Sequence, residues 1–314
     1  MGFAKPDQIA LHTVQAGCRK AWLPLRTQLL LGFAAGVYIS LGFLLAIRVS
    51  AGMPPSWEGF RFFIGAAVFP IGLILCLVAG GELLTGNMMA VPFAGFAGQV
   101  SGRQWAANWT AITLSNFAGA ILVAYVFGHL GGMTEHGPYL AQTLALTHAK
   151  LEEPFLQAFI SGIGCNLLVS LAVWMSYGAK DGAGQLLAIW FPTMAFVALG
   201  FQHIVANMFL IPAAIFAGHA TWGQYAANFV PVFLGNGAGG VLFVAGLYHL
   251  AYMRPKPGAA GTEAEAGAAD VVDRPPSCSE TPRAGRCARC GKAVTPVYPV
   301  RSREAVLPPD SYIN

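Results

Sequence analysis

Long apolar runs alternate with short polar clusters from residue 27 to residue 252, and beyond that the pattern stops abruptly. Runs of about twenty apolar residues are long enough to cross a bilayer as helices. They predict six spans, at 27–50, 61–98, 105–130, 154–177, 185–217 and 225–252. Two of these are interrupted. The second carries "GGELLTGN" (80–87) after the apolar stretch "RFFIGAAVFPIGLILCLVA" (61–79), and the fifth carries "GFQHIVAN" (200–207). Free backbone groups and a carboxylate are costly at bilayer depth unless they are buried in protein or line a cavity. Both breaks are therefore expected to meet inside the protein, along a pathway.

The polar positions also repeat. At an offset of 120, "QWAANW" (104–109) returns as "QYAANF" (224–229) and Asn116 returns as Asn236. Gly80, Asn87, Met88 and Pro92 return as Gly200, Asn207, Met208 and Pro212, with Glu82 opposite Gln202. Each copy holds three spans, an odd number, so the second copy must enter the membrane inverted. The predicted fold is an all-α membrane protein of two inverted three-helix repeats with helices 2 and 5 broken. Half-helices are expected to start at Asn87 and Asn207. Their free N–H groups and positive dipole ends would converge near the midplane, a place that attracts an anion.

Composition narrows the class. Of the 314 residues 55% are hydrophobic and 10% charged, with a mean hydropathy of +0.57, against roughly 25% charged in soluble domains. A net charge of +4 gives no reason to expect nucleic acid. Its distribution is more telling. Lys5, Arg19, Lys20, Arg26, Arg103, Lys180, Arg254 and Lys256 fall on one side of the predicted spans, and Arg48, Arg61 and Lys150 on the other. Both termini are thus expected in the cytoplasm, with the chain multi-pass in the inner membrane. Residues 1–26 lack the apolar core and cleavage site of a signal peptide and read as a cytoplasmic arm lying on the membrane surface. Residues 27–254 are expected to form the six-span transmembrane domain.

The stretches "GGELLTGN", "NWTAITLSNFAG" (108–119), "CNLLVSLAVWMSYGAKD" (165–181) and "GFQHIVANMFLIP" (200–212) resemble the formate/nitrite transporter family. The resemblance covers roughly residues 10–255. It implies an aquaporin-like protomer in a homopentamer, each protomer with its own pore for small monovalent anions such as formate, nitrite or hydrosulfide. His203 matches the family's central pore histidine and Thr85 the hydroxyl on the opposing break. Asn166 and Asn207 match its polar supports, and Lys150 its outer-vestibule lysine. Leu73 and Leu84 resemble the inner constriction, Phe69 and Phe196 the outer one. Two positions depart from the family: Leu84 where an aromatic is usual, and Gln202 where Glu mostly precedes the histidine.

Residue chemistry bears on the same positions. Imidazole holds or lends a proton near physiological pH, and transient protonation of an anion removes most of its desolvation cost in a dry constriction. His203 is the one histidine inside a predicted span and away from its ends. Thr85 suits both an anion contact and a helix cap. Lys150 reads as a loop lysine with Glu152 and Glu153 beside it, open to either an anion-attracting or an unremarkable surface role. Glu82 is expected to hold the loop through backbone N–H groups, with Gln202 opposite it, since a bare carboxylate repels anions. Asn108, Asn116, Asn228 and Asn236 are expected to hydrogen-bond between helices.

The tail from 255 is rich in Pro, Gly, Ala and charge and is expected to be disordered. Cys287 and Cys290 form a C-x-x-C, but a zinc site needs four ligands, and only Cys278 is at hand as a third. No metal or other cofactor is expected. A membrane enzyme would need a nucleophile–base pair or a His cluster, and the spans hold neither. The reading is transport of small weak-acid anions, formate foremost, with proton linkage. The alternative is a channel for a small neutral solute such as water or ammonia.

Overall fold

The computed structural model describes residues 2–253, which are helical almost throughout. The tail, with its Cys287/Cys290 pair, lies outside the described residues. Among the described residues, five helices are long and apolar enough to cross a membrane: α2 (Leu25–Ser50), α3 (Glu58–Gly80), α5 (Gly102–Leu130), α7 (Phe155–Gly178) and α10 (Trp222–Tyr252). The remaining expected span is made of two shorter apolar helices, α8 (Gly182–Ala198) and α9 (Ile204–Phe216). The other broken element, earlier in the chain, is α3 followed by α4 (Leu84–Phe96). The C-terminal halves of α3, α5 and α10 include π-helical stretches, at Leu75–Gly80, Val123–Leu130 and Gly239–Gly246.

Two further helices were not legible as spans. Helix α1 (Pro6–Trp22) precedes α2, and α6 (Gly137–Leu151) precedes α7. The second corrects the expectation of a loop around Lys150, which sits in the last turn of α6. At 15 residues and with polar positions throughout, α6 is too short to cross a bilayer. The described residues thus form two runs of five helices, α1–α5 and α6–α10.

Glycines set the closest crossings. A Cβ built on Gly36 of α2 would lie 2.1 Å from the Asn116 carbonyl oxygen of α5, and one on Gly235 of α10 would lie 2.2 Å from that of Phe159 in α7. Only a residue without a side chain lets these backbones approach so closely. The first piece of each broken element ends at a left-handed glycine, Gly80 (φ 103°) or Gly200 (φ 73°), a conformation that costs glycine no Cβ clash. These two turns release the chain from its helix and open the breaks.

Candidate functional site: two breaks that meet

Both breaks are held by an asparagine from a neighbouring helix. At the first, the Leu84 N–H donates to Asn116 Oδ1 (2.9 Å), while Asn116 Nδ2 donates to the carbonyls of Gly32 (2.8 Å) and Glu82 (2.9 Å). At the second, the Ile204 N–H donates to Asn236 Oδ1, and Asn236 Nδ2 to the carbonyls of Gly162 and Gln202, each at 2.9 Å. Asn116 and Asn236 are fully buried. A long-range amide therefore satisfies donors that the start of a helix leaves open.

The half-helices begin at Leu84 and Ile204, with Leu83 and His203 as their N-caps. This corrects the expected starts at Asn87 and Asn207, which lie one turn further in. Asn87 Nδ2 donates to Glu82 Oε2 (2.9 Å) and Asn108 Oδ1 (3.0 Å). Asn207 Nδ2 donates to Gln202 Oε1 (2.7 Å) and Asn228 Oδ1 (2.9 Å). Glu82 is also corrected: its carboxylate takes the Lys20 ammonium (3.0 and 3.1 Å) and the Asn87 amide, not backbone N–H groups. Asn166 Nδ2 donates to the Asn236 backbone carbonyl (2.7 Å), so it braces the residue that holds the Ile204 N–H.

Across the breaks, Thr85 Oγ1 lies 3.2 Å from His203 Nε2. Thr85 is fully buried and His203 is 2% exposed. The histidine's other nitrogen is committed, because Nδ1 accepts the Ala206 N–H at 3.0 Å. An accepting Nδ1 leaves the neutral ring with its proton on Nε2. Nε2–H then donates to Thr85 Oγ1, and the hydroxyl hydrogen of Thr85 remains to be given to a third group. Local sequence explains the geometry: His203 is the cap itself, held in extended backbone at φ −109°, ψ 118°.

A cavity of about 350 Å³ opens beside the histidine, lined among others by Phe43, Phe69, Lys150, Phe196, His203 and Asn207. The Phe196 ring stacks on His203, with centroids 5.4 Å apart and planes at 17°. Phe69 meets Phe196 edge to face at 5.6 Å. Leu73 and Leu84 are buried, and Leu84 immediately precedes Thr85 at the start of α4. Lys150 Nζ donates to the carbonyls of Gly200 and Phe201.

The two part-buried lysines differ electrostatically. Burial opposes the charge on Lys20, yet the neighbouring Glu82 outweighs it and holds the amine above its ordinary pKa. Burial also opposes the charge on Lys150, and there it prevails over the attraction of Glu153, leaving the pKa below its ordinary value. Lys20 and its pairing with Glu82 were missed in the sequence. The one available signal was the charge pair itself, 62 positions apart.

Residues 7–250 match the family model described as "Formate/nitrite transporter". The chain is 55% identical over 252 residues to the uncharacterized transporter YrhG of Bacillus subtilis (strain 168), covering 80% of this chain and 95% of that relative. It is 51% identical over 254 residues to the formate channel BtFdhC of Bacillus thuringiensis, covering 81% and 98%. A solved structure described as a pentameric formate channel with formate bound matches with a TM-score of 0.63 at 31% identity. That match covers 73% of this chain and 98% of the other.

Proposed function

The chain belongs to the formate/nitrite transporter family, a family of channels and transporters in the membrane, and from that premise we propose that it conducts small monovalent weak-acid anions, formate foremost, through a pore centred on Thr85 and His203. The observation that carries this reading is the 3.2 Å link between those side chains, one from each break. The Thr85 hydroxyl hydrogen is the donor offered to the anion, and the edge-to-face pair of Phe196 and Phe69 keeps bulk water from competing for it. Nitrite and hydrosulfide share the size and charge of formate, so the site accepts them as well. The protomers assemble as a homopentamer in the inner membrane, in two inverted halves with both termini in the cytoplasm.

Proton-linked passage follows from the same geometry. A solvent proton arriving at Nδ1, with the Ala206 bond opened, makes the imidazolium. The Nε2 proton then moves to Thr85 Oγ1 as the hydroxyl proton moves to the anion. The ring is left neutral, protonated on Nδ1, and the substrate leaves as the neutral acid; a proton taken up at Nε2 and one released from Nδ1 to solvent return the ring to its resting tautomer and restore the Ala206 bond. Protonation thereby removes most of the cost of carrying a charge through the dry constriction.

Proteoliposome uptake of formate, nitrite and hydrosulfide over about pH 5–8 tests the reading, a range that spans imidazole titration. Thr85→Val keeps the shape and removes the hydroxyl, and uptake is expected to fall by roughly tenfold or more for a lost proton-relay contact. Water or ammonia passing faster than any of the three anions would overturn it. The tail is expected to be dispensable, because both runs of helices are complete by Tyr252. Truncation after Lys256 should leave pentamer size on gel filtration and formate uptake unchanged, and loss of either would make the tail part of the working pore.

A further inference from the structure

A proline interrupts α3 beside the outer rings, and a tryptophan from the second half reaches into the interruption. Pro70 has no N–H to continue the helical ladder, and regular α-helix lapses at Phe69 and Pro70, between Val68 and Ile71. Bonding across the lapse is irregular: the Gly72 N–H donates to the Phe69 carbonyl, only three residues back, at 3.0 Å. In the turn just before it, the Ala67 carbonyl accepts the indole N–H of Trp190 on α8 at 2.7 Å. A proline and an inserted side chain are the usual causes of a disturbed ladder, and here both are present. Phe69 sits on the irregular turn itself. Its ring lies edge to face between two others, Phe196 of α8 and Phe43 of α2, each at 5.6 Å. Phe43, Phe69 and Phe196 all line the cavity beside His203. Helix α2 presses on the turn as well, since a Cβ built on Gly42 would lie 2.8 Å from the Phe69 carbonyl oxygen.

We propose that Trp190 is a positioning residue for the outer constriction: its indole N–H holds the irregular turn of α3 against α8, and so fixes how far Phe69 stands from Phe196 and how wide an anion passes between them. This rests on the anion-pore reading, with Phe69 and Phe196 as its outer narrowing. Helix α8 engages α3 at two points, the indole on the Ala67 carbonyl and the Phe196 ring on the Phe69 ring. Trp190 and Phe196 are six positions apart (196 − 190), or about 9 Å along a helix. One attachment would leave the turn free to swivel; two fix the direction in which Phe69 points. Trp190 acts from behind the cavity wall. Ala66 lines the cavity, and the carbonyl that the indole holds belongs to the next residue. An anion wider than the resting aperture passes only when the turn shifts, so its passage scales with the population of the shifted state. Loss of the indole N–H raises that population, whereas formate, which fits the resting aperture, gains little.

Uptake of formate and of lactate into proteoliposomes, at one pH and with protein-free liposomes subtracted, provides the measurement. Lactate carries the same single charge as formate on a wider frame, so the lactate-to-formate ratio reads aperture and not charge. Trp190→Phe keeps an aromatic ring and removes the donor. It should raise the ratio by roughly two- to tenfold, the range that one net hydrogen bond supports. Trp190→His keeps a five-membered ring with an N–H in the place of the indole's, and should hold the ratio within about twofold of the wild type because the bond is retained. Packing bulk alone predicts the opposite order, since histidine is the smaller residue. An unchanged ratio in Trp190→Phe, a ratio raised as much by Trp190→His, or loss of the monodisperse oligomer in either variant would each overturn the proposal, the last by making the indole part of the fold and not of the aperture. Absence of formate uptake by the wild type would instead overturn the anion-pore reading beneath it.

Discussion

His203→Phe is expected to leave the protein folded and to remove most weak-acid anion uptake, by about a hundredfold where a positioned acid–base group is lost. The phenyl ring keeps the stack on Phe196, which now lies at 5.4 Å from the imidazole. It loses both nitrogens, and with them the Thr85 link and the Nδ1 cap on Ala206. Loss of a cap costs about 1 kcal/mol, a small amount beside the buried contacts of α9, whose residues from Ile204 to Ala214 are all buried. A second variant separates capping from conduction. His203→Asn retains a side chain that caps helices well but cannot reach Thr85 with an acidic N–H. It should match His203→Phe in uptake while restoring stability, read as uptake in proteoliposomes and as the midpoint of thermal unfolding. Undiminished, still pH-dependent uptake by His203→Asn would end the case for His203 as the proton-carrying group.

The breaks were legible because they violate a strong pattern: glycines, a carboxylate and amides inside apolar runs. The register of the two halves was legible from identities at an offset of 120, and the same register reappears in the hydrogen bonds of Asn87 with Asn108 and Asn207 with Asn228. The starts of the half-helices were misread because the Leu84 and Ile204 N–H groups are tied to Asn116 and Asn236 on other helices, and no window of local sequence contains those bonds. The correspondence of α1 with α6, whose Lys20 and Lys150 carbonyls accept from Asn108 Nδ2 and Asn228 Nδ2, was hidden differently. Lys20 and Lys150 are separated by 130 positions (150 − 20), not 120, since the chain between α7 and the second break is shorter than its counterpart. Few identities survive in these short helices to mark the change of register. Lys150 was accordingly read as a loop residue, and the partner of Glu82 went unseen.

Asn236→Leu should be the most destructive single substitution in the protein, because one buried amide serves three backbone groups. Its Oδ1 accepts the Ile204 N–H, and its Nδ2 donates to the carbonyls of Gly162 and Gln202. Leucine fills nearly the same volume, so no cavity confuses the result. Three groups are left without partners where water is excluded, at about 1–3 kcal/mol each, a sum of about 3–9 kcal/mol that rivals the whole stability of a typical domain. The loss is also local to the function, since Ile204 follows His203 directly and its N–H fixes where α9 begins. Asn116→Leu should act alike through Leu84, Gly32 and Glu82. By contrast, Thr110→Val removes one exposed hydroxyl that bonds within its own helix, and should change stability by less than about 0.5 kcal/mol. Detergent-solubilised yield and gel-filtration profile distinguish these outcomes: the asparagine variants are expected to lose the monodisperse oligomer, and the threonine variant to keep it. An Asn236→Leu protein that assembles and melts like the wild type would mean that the second break is held by something other than the amide at its base.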